Sequence, residues 1–288
     1  MDFRTYLKEH TVVLDGAMGS LLLSRGLKSG ERGERWNLTH PEDITAVHLS
    51  YYDAGSNVVI TNTFGASRTH FSPEELAEII PAAVANARAA AAESPAPQEK
   101  YVALDIGPTG ELMEPYGDLS EEEAEEIFSE IVELGTKAGA DLIFIETMSD
   151  LSESAAALRA AKARGKGLPV LVSNSYGANG RLMTGALPEQ VVPLLESLGA
   201  EAVGLNCSLG PEAMLPIAES YLRLARVPVI FKPNAGLPEL RHGRTVYNVT
   251  AENFALSVAA AAGRGVKLVG GCCGTDPDYI RALTNKLK

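Results

Sequence analysis

The chain has 288 residues, 45% hydrophobic and 22% charged, the composition of a globular protein able to bury a sizeable core. Its formal net charge of −12, with no cluster of basic residues, argues against a nucleic acid or an anionic membrane surface as partner. The N-terminus MDFRTYLKEH is too polar for a signal peptide, and no apolar run nears the roughly 18 residues of a membrane span, so the reading is a cytoplasmic protein.

Eight short runs rich in Val, Ile and Leu recur along the chain, each followed by a helix-like stretch. The first, TVVLDGA from Thr11, ends in the tight turn Asp15-Gly16-Ala17-Met18. The second, SNVVITNTF from Ser56, ends on Thr61-Asn62-Thr63 and leads into a capping box, Ser72-Pro73-Glu74-Glu75, with proline at the opening helical position. The third, KYVALDIGP from Lys100, ends at Asp105 and precedes a second capping box, Ser120 to Glu123. ADLIFIET from Ala140 closes on Glu146-Thr147, LPVLVSNS from Leu168 on Ser173-Asn174, and AEAVGLNC from Ala200 on Asn206-Cys207. VPVIFKPN from Val227 closes on Lys232-Pro233-Asn234 and is followed by a long loop containing GLPELRHGRTVYN. The last run, VKLVGGCC from Val266, closes on Cys272-Cys273, and Thr275-Asp276-Pro277 then opens a final helix.

Eight strand-helix units fit an α/β fold, a closed (β/α)8 TIM barrel forming a single domain over residues 1–288. The alternative is an open doubly wound sheet, but no G-x-G-x-x-G follows the first strand. In a barrel, chemistry gathers at the C-terminal mouth, where the polar strand endings lie.

All three cysteines fall on that rim, at the ends of runs six and eight. A disulfide between Cys272 and Cys273 is a poor explanation, because neighbouring Cα atoms sit about 3.8 Å apart, short of bridge geometry. Cys207, Cys272 and Cys273 can instead converge on one metal ion, the flanking Gly270, Gly271 and Gly274 relaxing the backbone around them. Zinc suits three thiolates, and three protein ligands leave the open fourth position of a catalytic site. Such an electron-rich centre favours alkyl transfer to a bound thiol over hydrolysis. Taken singly, GGCC is a weak pattern, and VGLNC also reads as a core strand with one buried cysteine.

Other strand ends carry paired readings. Glu146 either accepts backbone amides at the barrel top or recognises an amine. Asp15 braces its turn, while the amides of Gly16, Ala17 and Met18 are placed to hold a carboxylate. His10, His40, His48, His70 and His242 show no metal spacing and are assigned to surface or loop packing. Ser173 has no histidine and acid placed to make it a nucleophile.

With these residues in view, the chain resembles the homocysteine S-methyltransferase family, most closely the homocysteine-binding barrel of cobalamin-dependent methionine synthases. The motifs DGAMGS, TNTFGA, DIGPTGELMEPYGD, IETMSD, MTGALPE, VGLNCSLGPE, KPNAGLPEL and VGGCCGTDPDYI carry the resemblance, in order, over nearly the whole chain. It implies that Cys207, Cys272 and Cys273 bind Zn²⁺ and that the thiolate of L-homocysteine takes the fourth position. It further implies that Glu146 and the Ser173 region grip the ammonium and that the Asp15 turn, with Gly16, Ala17 and Met18, holds the carboxylate. Thr63, Asn206 and Asn234 line the same rim.

The departure is that no D-x-H-x-x-G cobalamin signature and no second barrel occur in these 288 residues. The expected donor is therefore methylcobalamin carried by a separate corrinoid protein or module. The alternatives are a single-module enzyme using S-methylmethionine, S-adenosylmethionine or betaine, an excised domain of a larger synthase, and a non-catalytic zinc module that binds a thiol.

Overall fold

The computed structural model describes residues 1–28, 30–241 and 244–288; His242 lies outside the described residues. A helix the sequence reading lacked, α1 (Phe3–Glu9), precedes β1 (Val12–Val13). The segment after β1 holds α2 (Gly19–Ser24), α3 (Trp36–Thr39) and α4 (Pro41–Ala54). Five plain units follow: β2 (Val58–Ile60) with α5 (Pro73–Glu93), β3 (Tyr101–Ile106) with α6 (Glu121–Ala138), β4 (Leu142–Met148) with α7 (Leu151–Arg164), β5 (Val170–Asn174) with α8 (Pro188–Ser197), and β6 (Ala202–Asn206) with α9 (Pro211–Leu224). After β7 (Val229–Lys232), the long loop folds into an antiparallel hairpin of β8 (Pro238–Arg241) and β9 (Arg244–Tyr247), ahead of α10 (Ala251–Gly263), β10 (Leu268–Val269) and α11 (Pro277–Leu287).

The eight other strands form one parallel sheet in the order β1-β10-β7-β6-β5-β4-β3-β2. A parallel bridge between Leu14 and Val58 joins its two ends, which closes the barrel. Both expected capping boxes form: Ser72 and Glu75 exchange hydrogen bonds at the start of α5, and Ser120 and Glu123 do so at the start of α6. Asp276 caps α11 through the amides of Asp278 and Tyr279.

Strand alternation explains the core. Val12, Leu14, Val58, Ile60, Tyr101, Ala103, Leu142, Phe144, Leu171, Ala202, Ile230 and Leu268 form an inner cluster, and Phe3 and Leu7 of α1 pack onto it. Their alternate neighbours, such as Val59, Val102, Ile143, Val172, Val203 and Phe231, join the layer between sheet and helices. Continuing the inner series by two residues along each strand gives Asp105 after Ala103, Glu146 after Phe144, Ser173 after Leu171 and Lys232 after Ile230. The upper layer of the lumen is thus polar because the same periodicity that fills the lower layer runs on into charged residues.

β4 breaks that periodicity once. Its pairing with β5 shifts between Ile145 and Met148, and Thr147 there has φ +63°. The extra residue is a bulge, and it returns Met148 to the outer layer beside Ile143 and Ile145 instead of leaving it in the lumen.

His48 corrects its assignment to surface or loop packing: it is fully buried on α4, and neither ring nitrogen has a hydrogen-bond partner among the described residues. Burial pushes its pKa down to about 3. The folded state therefore resists a proton that the unfolded chain accepts near pH 6.5, so His48 costs stability as pH falls below that value. A His48→Leu variant should gain on the parent between pH 6.5 and pH 5, by roughly 2 kcal/mol at about 1.4 kcal/mol per pH unit. Urea denaturation at several pH values measures this, and a pH-independent difference would refute it.

Candidate metal and thiol site at the barrel mouth

The three cysteines converge. Their sulfur atoms all lie within 4.8 Å of one another, and Cys207 Sγ is 3.8 Å from Cys273 Sγ. A tetrahedral ion with bonds of about 2.3 Å to sulfur sets its ligands about 3.8 Å apart, so the spacing fits zinc. Hydrogen bonding to Cys207, with burial adding to it, pushes the Cys272 thiol well above the ordinary range. Without a cation the group holds its protons, and a cation is what would draw them off.

Backbone contacts fix this geometry. Cys207 N–H donates to Lys232 O at 3.2 Å and Cys272 N–H to Pro233 O at 2.9 Å, while Cys273 O accepts from Ala235 N–H at 3.0 Å. The turns after β6, β7 and β10 are thereby tied together. The glycines act partly as expected: Gly274 has φ +79°, but Gly271 is not in the left-handed region. What Gly271 provides is space, because a Cβ there would collide with Thr275, whose hydroxyl donates to Cys272 O at 2.7 Å. The Tyr247 ring at the end of β9 lies against Gly274, and its hydroxyl is pushed up to about 12 by burial and by the neighbouring Cys273.

Beneath the sulfurs lies a buried charge cluster. Lys232 Nζ is 3.6 Å from both Asp15 Oδ1 and Glu146 Oε2. Burial pushes the Lys232 pKa down, but the charges of Glu146 and Asp15 outweigh it and hold the ammonium protonated. Burial raises Asp15 to about 7 against the pull of Lys232 and of the Ile60 amide, which donates to Asp15 Oδ2 at 2.8 Å. Asp15 thus reaches across to β2 and β7 rather than bracing its own turn. Asp105 is raised well above the usual carboxylate range, by burial first and by Glu146 next, and its Oδ1 has no hydrogen-bond partner among the described residues. With one cation shared among several carboxylates, Asp105 is held toward its protonated form.

The remaining expected residues separate into two groups. The amides of Gly16, Ala17 and Met18 have no acceptor among the described residues, and Tyr51 Oη fixes the turn by donating to Ala17 O at 2.8 Å. Asn234 is buried and its Oδ1 lacks a partner among the described residues. Thr63, Ser173 and Asn206 each have partners within the protein. Thr63 Oγ1 donates to Asp105 O at 2.8 Å, and Ser173 Oγ to Asn206 Oδ1 at 2.6 Å. Sequence reasoning passed over Lys232, Asp105 and Tyr247 as site residues. The inner-face alternation of β3 and β7 carried the signal for the first two; only the hairpin brings Tyr247 over the thiols.

A family model described as homocysteine S-methyltransferase matches residues 12–287. Methionine synthase of Mycobacterium tuberculosis is 33% identical over 298 residues, covering 98% of this chain and 25% of the relative. Methionine synthase of Mycobacterium leprae is 32% identical with the same coverage. The chain therefore spans about a quarter of the length of these curated relatives. The metallated form of the homocysteine methyltransferase MmuM from Escherichia coli superposes with a TM-score of 0.84 at 26% identity, covering 99% of this chain and 100% of that one.

Proposed function

The chain belongs to the homocysteine S-methyltransferase family, and on that premise we propose that it methylates the thiol of L-homocysteine to give methionine, using a zinc ion held by Cys207, Cys272 and Cys273. The observation that carries this reading is the cluster of three thiols at the mouth with the sulfur spacing of a tetrahedral ion. When bound, zinc would supply a soft, electron-rich centre at which a thiol loses its proton yet stays nucleophilic.

The chain's own residues would do the rest. Glu146 accepts the substrate ammonium, and the free amides of Gly16, Ala17 and Met18 take its carboxylate. Lys232, lying between Asp15 and Glu146, keeps the grip from accumulating uncompensated negative charge. The substrate sulfur attacks the donor's methyl carbon; the new S–C bond forms as the old bond breaks, its electron pair stays with the donor, and the thiol proton has passed to solvent.

The donor we favour is a methyl-corrinoid on a separate protein or module. The loops around the mouth expose Phe64, Leu112, Tyr116, Met183 and Leu237, an apolar border suited to a macromolecular donor, and the curated methionine synthases are about four times as long as this chain. A free donor, such as a sulfonium or betaine, is the second reading, supported by the match over the full length of a solved homocysteine methyltransferase. Among the described residues no helix is long and apolar enough to cross a membrane. Three free thiols suit a reducing cytoplasm.

Methionine formation by the zinc-loaded chain tests the donor, with methylcobalamin, S-methylmethionine, S-adenosylmethionine and betaine supplied in parallel. Turnover with methylcobalamin and none with the others is expected. Turnover only with a free donor would transfer the assignment to the second reading, and none with any donor would refute both.

A further inference from the structure

Asn206 ends β6 with its side chain fully buried. Its orientation is set by a group that can only donate: Thr147 N–H lies 2.9 Å from one terminal atom, which must be Oδ1. The other atom, Nδ2, then faces Thr147 Oγ1 at 2.7 Å, Glu146 Oε2 at 3.3 Å and Cys272 Sγ at 3.8 Å. One amide thus joins the ends of β4, β5 and β6 to the turn after β10.

Thr147 explains why such a joint is needed. A β-branched residue in the left-handed region is a costly conformation that persists only when its surroundings over-determine it. Asn206 holds both the backbone amide and the hydroxyl of Thr147. The bulge it pins sits directly after Glu146, so the aim of that carboxylate into the lumen depends on it.

We propose that Asn206 is a positioning residue that fixes the separation between the amine grip at Glu146 and the thiol site at Cys272, and thereby selects an amino-acid thiol of homocysteine's length. This rests on the reading that those two groups bind the ends of homocysteine. Asn206 acts through its neighbours: its oxygen accepts from Thr147 N–H and Ser173 Oγ, and its nitrogen faces Glu146, Thr147 and Cys272.

The test compares L-homocysteine with 4-mercaptobutyrate, the same thiol without its amine, and with L-cysteine, one methylene shorter. Binding is read on cobalt-substituted protein from the visible band of the metal. In Asn206→Ala the preference for homocysteine over each analogue should fall about tenfold or more, the usual scale for loss of an outer partner at a metal site. Thr147→Gly can adopt the left-handed conformation unaided, so adding Asn206→Ala to it should cost at least about threefold less than in the parent. Should Asn206→Ala fold poorly, Asn206→Ser is a smaller polar replacement that brings no charge beside Glu146 and Cys272; the same fall in preference is expected, with melting temperature and metal content confirming the fold.

An unchanged preference in a folded, metal-loaded variant would overturn the positioning role while leaving the proposed function intact. Equal loss for all three thiols would also overturn it, since that would mark a general defect in the metal site. A parent protein with no preference for homocysteine would overturn the proposed function, and this inference with it.

Discussion

Replacing Cys272 with serine is expected to remove zinc from the protein and to lower methyl transfer to homocysteine by a factor on the order of a thousand. The size follows from how metal affinity is shared. Zinc held by folded thiolate sites is worth about 10–16 kcal/mol, so one ligand among three carries several kcal/mol, or about three powers of ten. Serine offers no thiolate, and its hydroxyl does not ionise near neutral pH, so it replaces the shape of the ligand without its charge. Cys207→Ser and Cys273→Ser should behave alike, because the three sulfurs occupy equivalent corners of one cluster.

The measurements are metal content after dialysis and methionine formation, with circular dichroism confirming that the barrel persists. Persistence is expected, since the cysteines sit at strand ends and neither buried apolar cluster includes them. A variant that keeps one zinc per chain and full turnover would place the metal elsewhere and refute the site. A variant that loses zinc but keeps turnover would separate the metal from the chemistry and favour a structural role.

Much of this was legible in the sequence, for identifiable reasons. The barrel follows from eight apolar runs because parallel strands buried on both faces need continuous Val, Ile and Leu, and the capping boxes at Ser72 and Ser120 are local signals that no tertiary contact had to create. The cysteines were legible because barrel topology sends every strand end to one mouth. Other features were not. The bulge at Thr147 comes from a mismatch between β4 and β5, and neither strand shows it alone. The hairpin of β8 and β9 was hidden in a stretch whose prolines and glycines read as loop. Thr63 and Ser173 were legible as rim residues by position, but the groups to which their hydroxyls donate, Asp105 O and Asn206 Oδ1, lie on the neighbouring strands and were not.

Lys232 is the largest omission, and its replacement by methionine carries the second large prediction. The side chain is 3% exposed and lies 3.6 Å from carboxylate oxygens on two other strand ends. Removing one partner from a buried ion pair leaves a charge without compensation, which costs on the order of 3–5 kcal/mol. Here the protein has a way to reduce that cost, because Asp15 already titrates near 7 and would take up a proton. In the parent, Asp15 binds a proton more tightly folded than unfolded, so its contribution to stability is present at low pH and is lost as pH rises to about 7. Loss of Lys232 removes the charge that held this pKa down, so in Lys232→Met the decline continues above pH 7 while the parent has levelled off. The stability gap between the two should therefore widen above pH 7 by up to about 1.4 kcal/mol per pH unit. Asp15→Asn added to Lys232→Met should remove the Asp15 share of the widening, leaving only what Glu146 and Asp105 beside the lost ammonium contribute. Denaturation from pH 6 to pH 9 decides the matter: a gap that stays constant across that range would mean that Lys232 does not act as the counter-ion of Asp15 and serves Glu146 alone.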